Sequence, residues 1–258
     1  MGKKCCSGSA DIKQMVKESY GKRWAGEERC CDEPEDTLST VHDALMSELS
    51  PAEGMKVLDV GSGTGDTVLA VAREVGPKGK AVGIDFTEEG IAKARKKAQD
   101  SGVDGIAEFR LADAEKLPFE DEAFDAVISE CVVCLTADKQ KVLAEKVRVL
   151  KPGGRVIMHD VISWAPMPEA IRKDPRLYCG CIGGAVSMKD YMYMMEKAGL
   201  VDIKAVDHSD QIRKRLSAGI LSAALELREN DKAFDEITDF LRKDGIGYAL
   251  FVGTKPKS

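Results

Sequence analysis

Eight cysteines in this chain of 258 residues occur as four close pairs. The pairs are "CC" at 5–6, "CC" at 30–31, "CVVC" at 131–134 and "CGC" at 179–181. Paired thiols can bind a soft ion, and they can exchange electrons by forming and breaking a disulfide. In a reducing compartment, clustered cysteines indicate metal binding or redox activity before structural disulfides. The four pairs are therefore the first candidates for chemistry.

Zinc matches these spacings poorly. A structural zinc site takes four tetrahedral ligands, commonly from two C-x₂-C units, and only 131–134 has that spacing. Adjacent cysteines diverge in an extended chain, so they are poor ligands for one tetrahedral ion. A trivalent metalloid needs only three sulfurs on one side. Cys134, in the apolar run "CVVCL", fits a plain core position equally well.

Composition and charge exclude several classes of partner. A net charge of −6 and a pI near 5.3 argue against nucleic acid or an anionic membrane as the main partner. No apolar run approaches the roughly 20 residues of a membrane span. The start, "MGKKCCSGSADIKQ", has no apolar signal-peptide stretch, so we expect a cytoplasmic location. We also expect a monomer.

Strand and helix patterns alternate through the middle of the chain. The apolar runs "KVLDVG", "KAVGID", "AEFRLAD", "FDAVISE" and "RVIMHDV" predict five buried parallel strands with helices between them. This alternation predicts an α/β fold with a doubly wound, mainly parallel sheet. The segments "VDIKAVDH" and "GYALFVGTKP" predict two more strands that close the seven-stranded sheet as an antiparallel pair.

These patterns divide the chain into three regions. Residues 1–50 are expected to form a helical cap that carries cysteines. Its helices are predicted at "SADIKQMVKESYGKRWAG" and near 37–49. Residues 51–162 are expected to form the core that binds the cofactor. Residues 163–258 predict a substrate-binding loop, the last two strands and, over 209–245, a helical insertion between those strands.

A glycine-rich loop follows the first predicted strand. "VLDVGSGTGD", residues 57–66, contains Gly61, Gly63 and Gly65, which allow a tight turn and close contact with a ligand. The G-x-G-x-G spacing followed by aspartate differs from the G-x-G-x-x-G of pyrophosphate binders, and the acid would repel a pyrophosphate. Asp85, about 20 residues later, can accept hydrogen bonds from both ribose hydroxyls. The loop predicts a nucleoside ligand without a pyrophosphate.

This part of the chain resembles the class I S-adenosylmethionine-dependent methyltransferases. The matching segments are "VLDVGSGTGD", "VGIDFTEEGIAKA", "LADAEKLPFEDEAFDAVIS" and "RVLKPGGRVIMHDV". The resemblance implies a Rossmann-like fold and S-adenosylmethionine as cofactor. It places the methionine moiety of the cofactor at the first strand, and the ribose and adenine at the strands that follow. The cofactor-binding residues that it implies are Asp59, Gly61, Gly63, Gly65, Asp85, Phe86, Asp113, Ala114 and Glu130. Phe86 also fits a plain core aromatic, and Asp113 a turn or cap residue.

Three further segments resemble arsenite methyltransferases. "ISECVVCL" is similar to the segment after the fourth strand of that family, and "DPRLYCGCIGGAVSMKDY" is similar to its Cys-(Ile/Leu)-Gly-Gly-Ala stretch. "VKESYGKR" followed by "CC" is similar to its N-terminal Tyr-Gly segment, so the resemblance spans roughly 12–200. It implies arsenite as the substrate, thioredoxin or small thiols as the reductant, and cysteine pairs that pass electrons.

The same resemblance implies roles for particular residues. The catalytic set is Cys181, Cys179, Cys131, Cys30, Cys31 and Tyr20, of which Cys181, Cys31 and Cys179 bind arsenic. The chain departs from the family in two ways: Glu130 replaces a usual asparagine, and no cysteine follows Cys181. Cys179 is the candidate for the ligand that is missing after Cys181. The remaining pairs, Cys5 and Cys6 included, are expected to relay electrons.

Two other functions remain open at this point. One is a methyltransferase for another small acceptor, either a different metalloid or an organic molecule such as a quinone or sterol. The other is a thiol-based metalloid or zinc sensor that retains cofactor binding. The three histidines, at 42, 159 and 208, form no triad-like pattern. That suits a methyl transfer to an arsenic lone pair, which needs no general base.

Overall fold

The computed structural model describes residues 9–27, 35–210, 217–218, 220–221 and 231–257. The helices are α1 (Ser9–Ala25), α2 (Glu35–Leu49), α3 (Asp66–Val75), α4 (Glu88–Asp100), α5 (Lys139–Val149), α6 (Glu169–Lys173), α7 (Pro175–Cys179), α8 (Met188–Lys197) and α9 (Asp231–Arg242). The strands are β1 (Lys56–Val60), β2 (Lys80–Asp85), β3 (Ala107–Leu111), β4 (Phe124–Glu130), β5 (Leu150–Ser163), β6 (Val201–Asp207) and β7 (Ile246–Thr254). A short 3-10 turn, Val133–Leu135, follows β4.

The seven strands form one sheet in the order β3-β2-β1-β4-β5-β7-β6. Strands β1 to β5 are parallel to their neighbours, whereas β7 is antiparallel to both β5 and β6. The predicted doubly wound sheet and its antiparallel closing pair are therefore confirmed. The strand order reverses between β1 and β4, and in open α/β sheets ligands bind beyond the carboxyl ends of the strands at such a point.

Both faces of the sheet are covered by helices, as the apolar strand sequences require. Neighbouring residues of β1 separate onto the two faces, because side chains alternate along a strand. Val57 packs in a core with α2, α3 and α4, and Leu58 packs in a second core with α5 and α8. Both cores are completed by residues of β7. The cysteines of the 131–134 pair lie at the end of β4, between these layers and the loops above them.

The sheet continues through the predicted region boundary at 162. Strand β7 pairs with β5 from Arg155–Thr254 to Ser163–Ile246, so the last region of sequence completes the same sheet. Helix α9 lies within the predicted insertion over 209–245, part of which lies outside the described residues. Within the described ranges, no helix has both the length and the apolarity to cross a membrane.

Candidate active site

The glycine loop after β1 adopts a conformation that only glycine tolerates easily. Gly61, Gly63 and Gly65 have φ angles of 80, 52 and 86°, in the left-handed region. The space is also closed to side chains: a Cβ on Gly61 would lie 2.4 Å from Val132 Cγ2, and one on Gly65 would lie 2.6 Å from Phe109 Cζ. The loop therefore presents bare backbone at the carboxyl end of the sheet.

Asp85 ties the end of β2 to this loop. Its Oδ2 accepts a hydrogen bond from the Gly63 amide at 3.0 Å. Its Oδ1 accepts from the Thr87 amide at 2.9 Å and from Thr87 Oγ1 at 2.6 Å. Each carboxylate oxygen has about two acceptor positions, so the carboxylate is held in place and retains capacity for a ribose hydroxyl.

Acidic groups gather at the ends of β1 and β4. Burial raises the pKa of Asp59 to about 8, and the charge of Glu130 adds to the effect, while Lys146 opposes it. His42 Nδ1 lies 3.3 Å from Glu130 Oε1, and the hydrogen bond to Glu130 raises the pKa of His42. Asp85 contributes further negative charge. This environment favours a cationic ligand, because a positive charge stabilises the ionised form of Asp59.

Helix α1 lies over the glycine loop. A Cβ on Gly63 would lie 3.0 Å from Trp24 Cζ2, and one on Gly90 would lie 3.1 Å from Trp24 Cδ1. Trp24 Nε1 and Ser62 Oγ are buried without a hydrogen-bond partner among the described residues. Buried polar atoms are usually paired. Two unpaired ones beside a bare loop and a buried acid fit a polar nucleoside ligand such as S-adenosylmethionine.

The other residues predicted near adenine surround the same helix. Phe86 packs in a small cluster with Val16, Tyr20 and other residues under α1. Asp113 accepts from the Glu115 amide at 2.8 Å and pairs with Lys13 of α1 at 2.8 Å. Ala114 is partly buried against the core of the sheet. Asp113 thus lies in a turn, which is the alternative role that the sequence offered for it. The contact of Asp113 with adenine stays a prediction.

Three cysteines meet above the carboxyl ends of β4 and β5. Cys131 and Cys134 follow β4, and Cys181 comes from the loop after α7. Cys181 Sγ lies 3.6 Å from the Cys131 carbonyl oxygen, and the thiols of Cys131 and Cys134 hydrogen-bond with the Cys181 sulfur. We call these three residues the thiol trio. All described cysteines are free of disulfides.

Two members of the trio have strained backbones. Cys131 has a φ of 52° and Cys181 a φ of 68°. The left-handed region costs a residue with a side chain about 1 kcal/mol or more, and such residues concentrate at functional sites. Both strained residues lie at the carboxyl end of the sheet, within the candidate site.

The segment "DPRLYCGCIGGA" folds so that Cys181 lies near the other two cysteines of the trio. Asp174 caps α7 by accepting from the Arg176 and Leu177 amides, and Pro175 starts that helix. Beyond α7 the chain packs very closely on the loop after β4. A Cβ on Gly184 would lie 1.9 Å from the Cys134 carbonyl oxygen. The glycine pair is therefore what allows the two cysteine-bearing loops to touch.

The trio favours one thiolate. Hydrogen bonds from Cys131 and Cys134 hold the pKa of Cys181 well below its usual value. The Tyr20 hydroxyl, 3.6 Å from Cys181 Sγ, and the charge of Arg23 act in the same direction. The hydrogen bond with Cys181 raises the pKa of Cys131, and burial raises that of Cys134. Of the three thiols, Cys181 is therefore the one that ionises most readily, and two thiols and a phenol surround it.

Buried charged groups hold the 131–134 turn from below. Asp160 of β5 accepts from the Cys134 amide through both oxygens, at 3.3 and 3.2 Å. Lys139 Nζ donates to the Cys134 carbonyl oxygen at 3.2 Å. Burial raises the pKa of Asp160 to about 6 and lowers that of Lys146 to about 8. Lys146, fully buried, donates a short hydrogen bond to Ser129 Oγ.

A second polar path begins at Cys131. Its Sγ lies 3.3 Å from Tyr248 Oη, within hydrogen-bond distance. The Tyr248 ring stacks on His159, with centroids 4.9 Å apart and an interplanar angle of 19°. His159 Nε2 lies 2.8 Å from His208 Nδ1. His159 is fully buried in these contacts.

Not every predicted thiol joins the trio. Cys179 is buried against α1, with its Sγ 3.9 Å from the Met15 carbonyl oxygen. Cys5, Cys6, Cys30 and Cys31 lie outside the described residues. In the part of the chain that the structure describes, no group of three or more His, Cys, Asp or Glu side chains is arranged to hold a metal ion. The trio is thus a set of interacting thiols and not a ready-made metal site.

Four residues of this site were not identified from the sequence. The sequence left Cys134 equally open as a reactive thiol or as a plain core residue. The signal for a reactive thiol was its three-residue spacing from Cys131. Asp160 and Lys146 each interrupt an apolar pattern, in β5 and on the inner face of α5, which is an unusual place for a charge. Trp24 had no distinguishing signal, because its role depends on where α1 packs.

Comparison with known proteins agrees with this geometry. A family model described as a methyltransferase domain matches residues 51–199. The arsenite methyltransferase of Halobacterium salinarum is 39% identical over 186 residues, 69% of this chain and 47% of the relative. The arsenite methyltransferase of Aquipseudomonas alcaligenes is 33% identical over 239 residues, 84% of this chain and 67% of the relative.

The chain belongs to the arsenite methyltransferase family.

The family match does not extend along the whole of the relatives. This member spans about half of the Halobacterium protein and two thirds of the Aquipseudomonas protein. Among solved structures, a putative sarcosine dimethylglycine methyltransferase from Galdieria sulphuraria has a TM-score of 0.70 at 18% identity. That likeness covers 94% of this chain and 98% of the other. It shows the methyltransferase fold, whereas the acceptor has to be argued from the site.

Proposed function

We propose that this member of the arsenite methyltransferase family transfers methyl groups from S-adenosylmethionine to trivalent arsenic held by its thiols. The observation that carries the proposal is the meeting of Cys181 and Cys131 at the carboxyl end of a sheet with a bare glycine loop. An organic acceptor would require none of these thiols. A sensor would not require the loop, the buried acid Asp59 and the carboxylate Asp85 together.

The cofactor supplies a methyl carbon made electrophilic by a sulfonium. Asp59 and the glycine loop accommodate the methionine moiety, whose ammonium group stabilises the ionised form of the buried Asp59 carboxyl. Asp85 accepts a hydrogen bond from a ribose hydroxyl. Trp24 covers the loop and excludes water from it. Glu130 keeps the methionine end of the site acidic and orients His42.

Arsenite is the substrate, and the thiols hold it. Cys181 attacks first because it is the ionised member, and Cys131 supplies a second sulfur. Arsenic bound to sulfur keeps one lone pair. A fixed alignment of this lone pair with the methyl carbon is the main contribution to rate, because it removes translational and rotational freedom before the reaction. Tyr20, 3.6 Å from Cys181 Sγ, limits the orientations of the arsenic.

Methyl transfer raises arsenic formally from the trivalent to the pentavalent state. Two electrons return when two thiolates are oxidised to a disulfide and arsenic is reduced. Thioredoxin or small thiols then reduce that disulfide by thiol exchange. We assign the pairs at 5–6 and 30–31 to this relay. If replacement of Cys5 and Cys6 by serine leaves turnover with thioredoxin unchanged, that pair does not take part in the relay.

Product analysis tests the proposal. Wild-type protein is incubated with arsenite, S-adenosylmethionine and a thioredoxin system, and methylated arsenicals are separated and counted. We expect methylated product from the wild type and none from Cys181→Ser. Binding of S-adenosylhomocysteine, measured on both proteins, checks that the variant keeps its cofactor site. A wild type that binds the cofactor but forms no methylated arsenic would contradict the proposal.

A further inference from the structure

We infer that Cys134 is the third sulfur ligand of arsenite, so that Cys131, Cys134 and Cys181 form a three-thiol site within the folded core. The inference rests on the proposed function and adds a ligand to the same site. It places the whole arsenic-binding set in the described part of the chain. It also assigns to Cys134 the role that the sequence suggested for Cys179.

The position of Cys134 carries the inference. Cys134 is 0% exposed and lies in one buried cluster with Cys181 and Cys131. Its amide is held by Asp160 and its carbonyl oxygen by Lys139 Nζ. The close approach of Gly184 to that carbonyl fixes the two loops relative to each other. The backbone of Cys134 is thus held firmly within the cluster that contains the other two thiols.

The surroundings suit covalent binding of arsenic. The trio is lined by apolar residues of one cluster, which includes Val161, Leu177 and Ile182. Apolar surroundings keep water away and disfavour hydroxide as a ligand of arsenic. They also favour the replacement of an ionised thiolate by a neutral arsenic–sulfur bond, because a buried charge is costly.

The binding reaction balances without a change in oxidation state. Arsenous acid, As(OH)₃, loses its three hydroxides. Two leave as water with the protons of the Cys131 and Cys134 thiols, and the third, displaced by the Cys181 thiolate, takes its proton from solvent. Three arsenic–oxygen bonds break and three arsenic–sulfur bonds form. The arsenic lone pair remains for the methyl carbon. A methylated trivalent product has one arsenic–carbon bond and can keep only two sulfurs, so one thiol of the trio is released.

The site has to close around arsenic, since the described thiols are not yet arranged as a metal site. The Cys131 thiol gives up its hydrogen bond to Tyr248 Oη. The inference requires the Cys131 and Cys134 sulfurs to be redirected by rotation about their side-chain bonds. No movement of the sheet is needed, because all three cysteines lie at the ends of packed elements.

The test counts sulfurs around bound arsenic by X-ray absorption spectroscopy on the full-length chain. The starting variant carries serine at Cys5, Cys6, Cys30 and Cys31, so that no N-terminal thiol can supply a ligand. We expect three arsenic–sulfur bonds in this variant. Adding Cys134→Ser should leave two sulfurs and one oxygen. Adding Cys179→Ser instead should leave three sulfurs.

Binding constants give a second readout on the same proteins. Phenylarsine oxide can bond to only two thiols, whereas arsenite can bond to three. The Cys134→Ser change should therefore weaken arsenite binding by at least about tenfold and change phenylarsine oxide binding by less than about threefold. S-adenosylhomocysteine binding, measured on each variant, shows that the protein remains folded.

The possible outcomes separate this inference from the proposed function. Two sulfurs in the starting variant, or three after Cys134→Ser, would overturn the third-ligand role of Cys134 and leave the proposed function standing. Loss of a sulfur with Cys179→Ser would give that role back to Cys179. An unaltered chain that binds cofactor but neither arsenical would overturn both.

Discussion

At the scale of single residues, the site depends on one ionised thiol held among neutral ones. Cys181 owes its lowered pKa first to Cys131 and Cys134, and then to Tyr20 and Arg23. Like charges at this spacing are unfavourable, so ionisation of Cys181 favours the protonated form of the other two thiols. The pKa values of the individual thiols therefore determine which sulfur reacts first.

Replacing Tyr20 by phenylalanine should make Cys181 less reactive. The hydroxyl hydrogen-bonds to Cys181 and favours its thiolate, so its loss raises the pKa of Cys181. A hydrogen bond to a charged group is worth about 1.5 kcal/mol or more, so the pH midpoint of the alkylation rate should rise by about one unit. Mass spectrometry of Cys181 after iodoacetamide treatment over a pH series measures this rate.

Tyr178→Phe is the matched control for that experiment. The Tyr178 hydroxyl donates to the Thr136 carbonyl oxygen at 3.4 Å and not to Cys181. The control should keep the wild-type alkylation profile. Identical profiles for wild type and Tyr20→Phe would show that Tyr20 does not favour the thiolate.

Asp59→Asn should stabilise the protein and weaken cofactor binding. The pKa of Asp59 is about 8 in the folded protein against 3.8 ordinarily, because of burial and then the charge of Glu130. The unfolded chain loses this proton first, so Asp59 lowers stability increasingly from about pH 4 to pH 8. Asparagine removes that penalty, and we expect the free energy of unfolding at pH 8 to rise by a few kcal/mol.

The pH dependence of cofactor affinity gives the second half of this prediction. A cationic ligand favours ionised Asp59, so wild-type affinity for S-adenosylmethionine should increase with pH up to about 8 and then level off. Asp59→Asn should bind more weakly at pH 8 and lose this dependence. Urea unfolding and calorimetric titration across the pH range measure both effects. A variant that is less stable than wild type at pH 8 would contradict the assignment.

At the scale of elements, close packing of backbone decides whether the site forms. The loop after α7 reaches the loop after β4 only because Gly184 lies against the Cys134 carbonyl. Helix α1 closes the other side, with Tyr20 at the trio and Trp24 at the glycine loop. Each contact joins two elements that are distant in sequence.

Gly184→Ala should separate the two thiol-bearing loops. The added Cβ would lie 1.9 Å from the Cys134 carbonyl oxygen, which has to move. We expect a loss of about 1–3 kcal/mol in the free energy of unfolding, together with weaker arsenite binding. Gly105→Ala is the control, because nothing lies within 4 Å of its Cβ position. Urea unfolding and arsenite titration compare the two, and equal behaviour would refute the role of Gly184.

Trp24 should report cofactor binding through its fluorescence. The chain has two tryptophans, and Trp164→Phe leaves Trp24 as the only emitter. Because the Trp24 indole lies over the glycine loop, S-adenosylhomocysteine should change its emission in that variant. The matched variant Trp24→Phe, which retains the half-exposed Trp164, should show little change. Equal responses would place Trp24 away from the cofactor.

At the scale of the whole molecule, one sheet unites the three regions of sequence. Strand β7 is buried along eight of its nine residues and lies between β5 and β6. Phe251 is fully buried in the core on the α5 side, and Leu250 lies in the opposite core. The segment after residue 200 therefore completes both cores of the fold.

Truncation after residue 199, the end of the methyltransferase-domain match, should abolish folding. The shortened chain lacks β6 and β7 and would expose the edge of β5 and part of both cores. Exposed apolar surface and an unpaired strand edge favour aggregation. Circular dichroism and urea unfolding of the two chains measure this. A truncated chain with a cooperative, native-like transition would show that the core folds without its last strands.

Much of the fold was predictable because it depends on local patterns. The apolar strand sequences, the glycine loop and Asp85 at the end of β2 are periodic or closely spaced features, and the observed sheet contains them in the predicted places. The position of Cys131 at the end of β4 followed from the same alternation. The resemblance to arsenite methyltransferases depended on short segments of this kind, and the family match supports it.

The sequence by itself determined the sheet, the cofactor loop and the presence of clustered thiols. Only the tertiary structure decided which thiols meet. Cys179 and Cys181 are two residues apart, yet the Cys179 sulfur lies by Met15 of α1, whereas the Cys181 sulfur, on a left-handed backbone, lies by the loop after β4 and Tyr20. Cys134 joins Cys181 because two loops distant in sequence pack through a glycine. Side-chain direction follows backbone dihedrals and packing, which spacing along the chain does not encode.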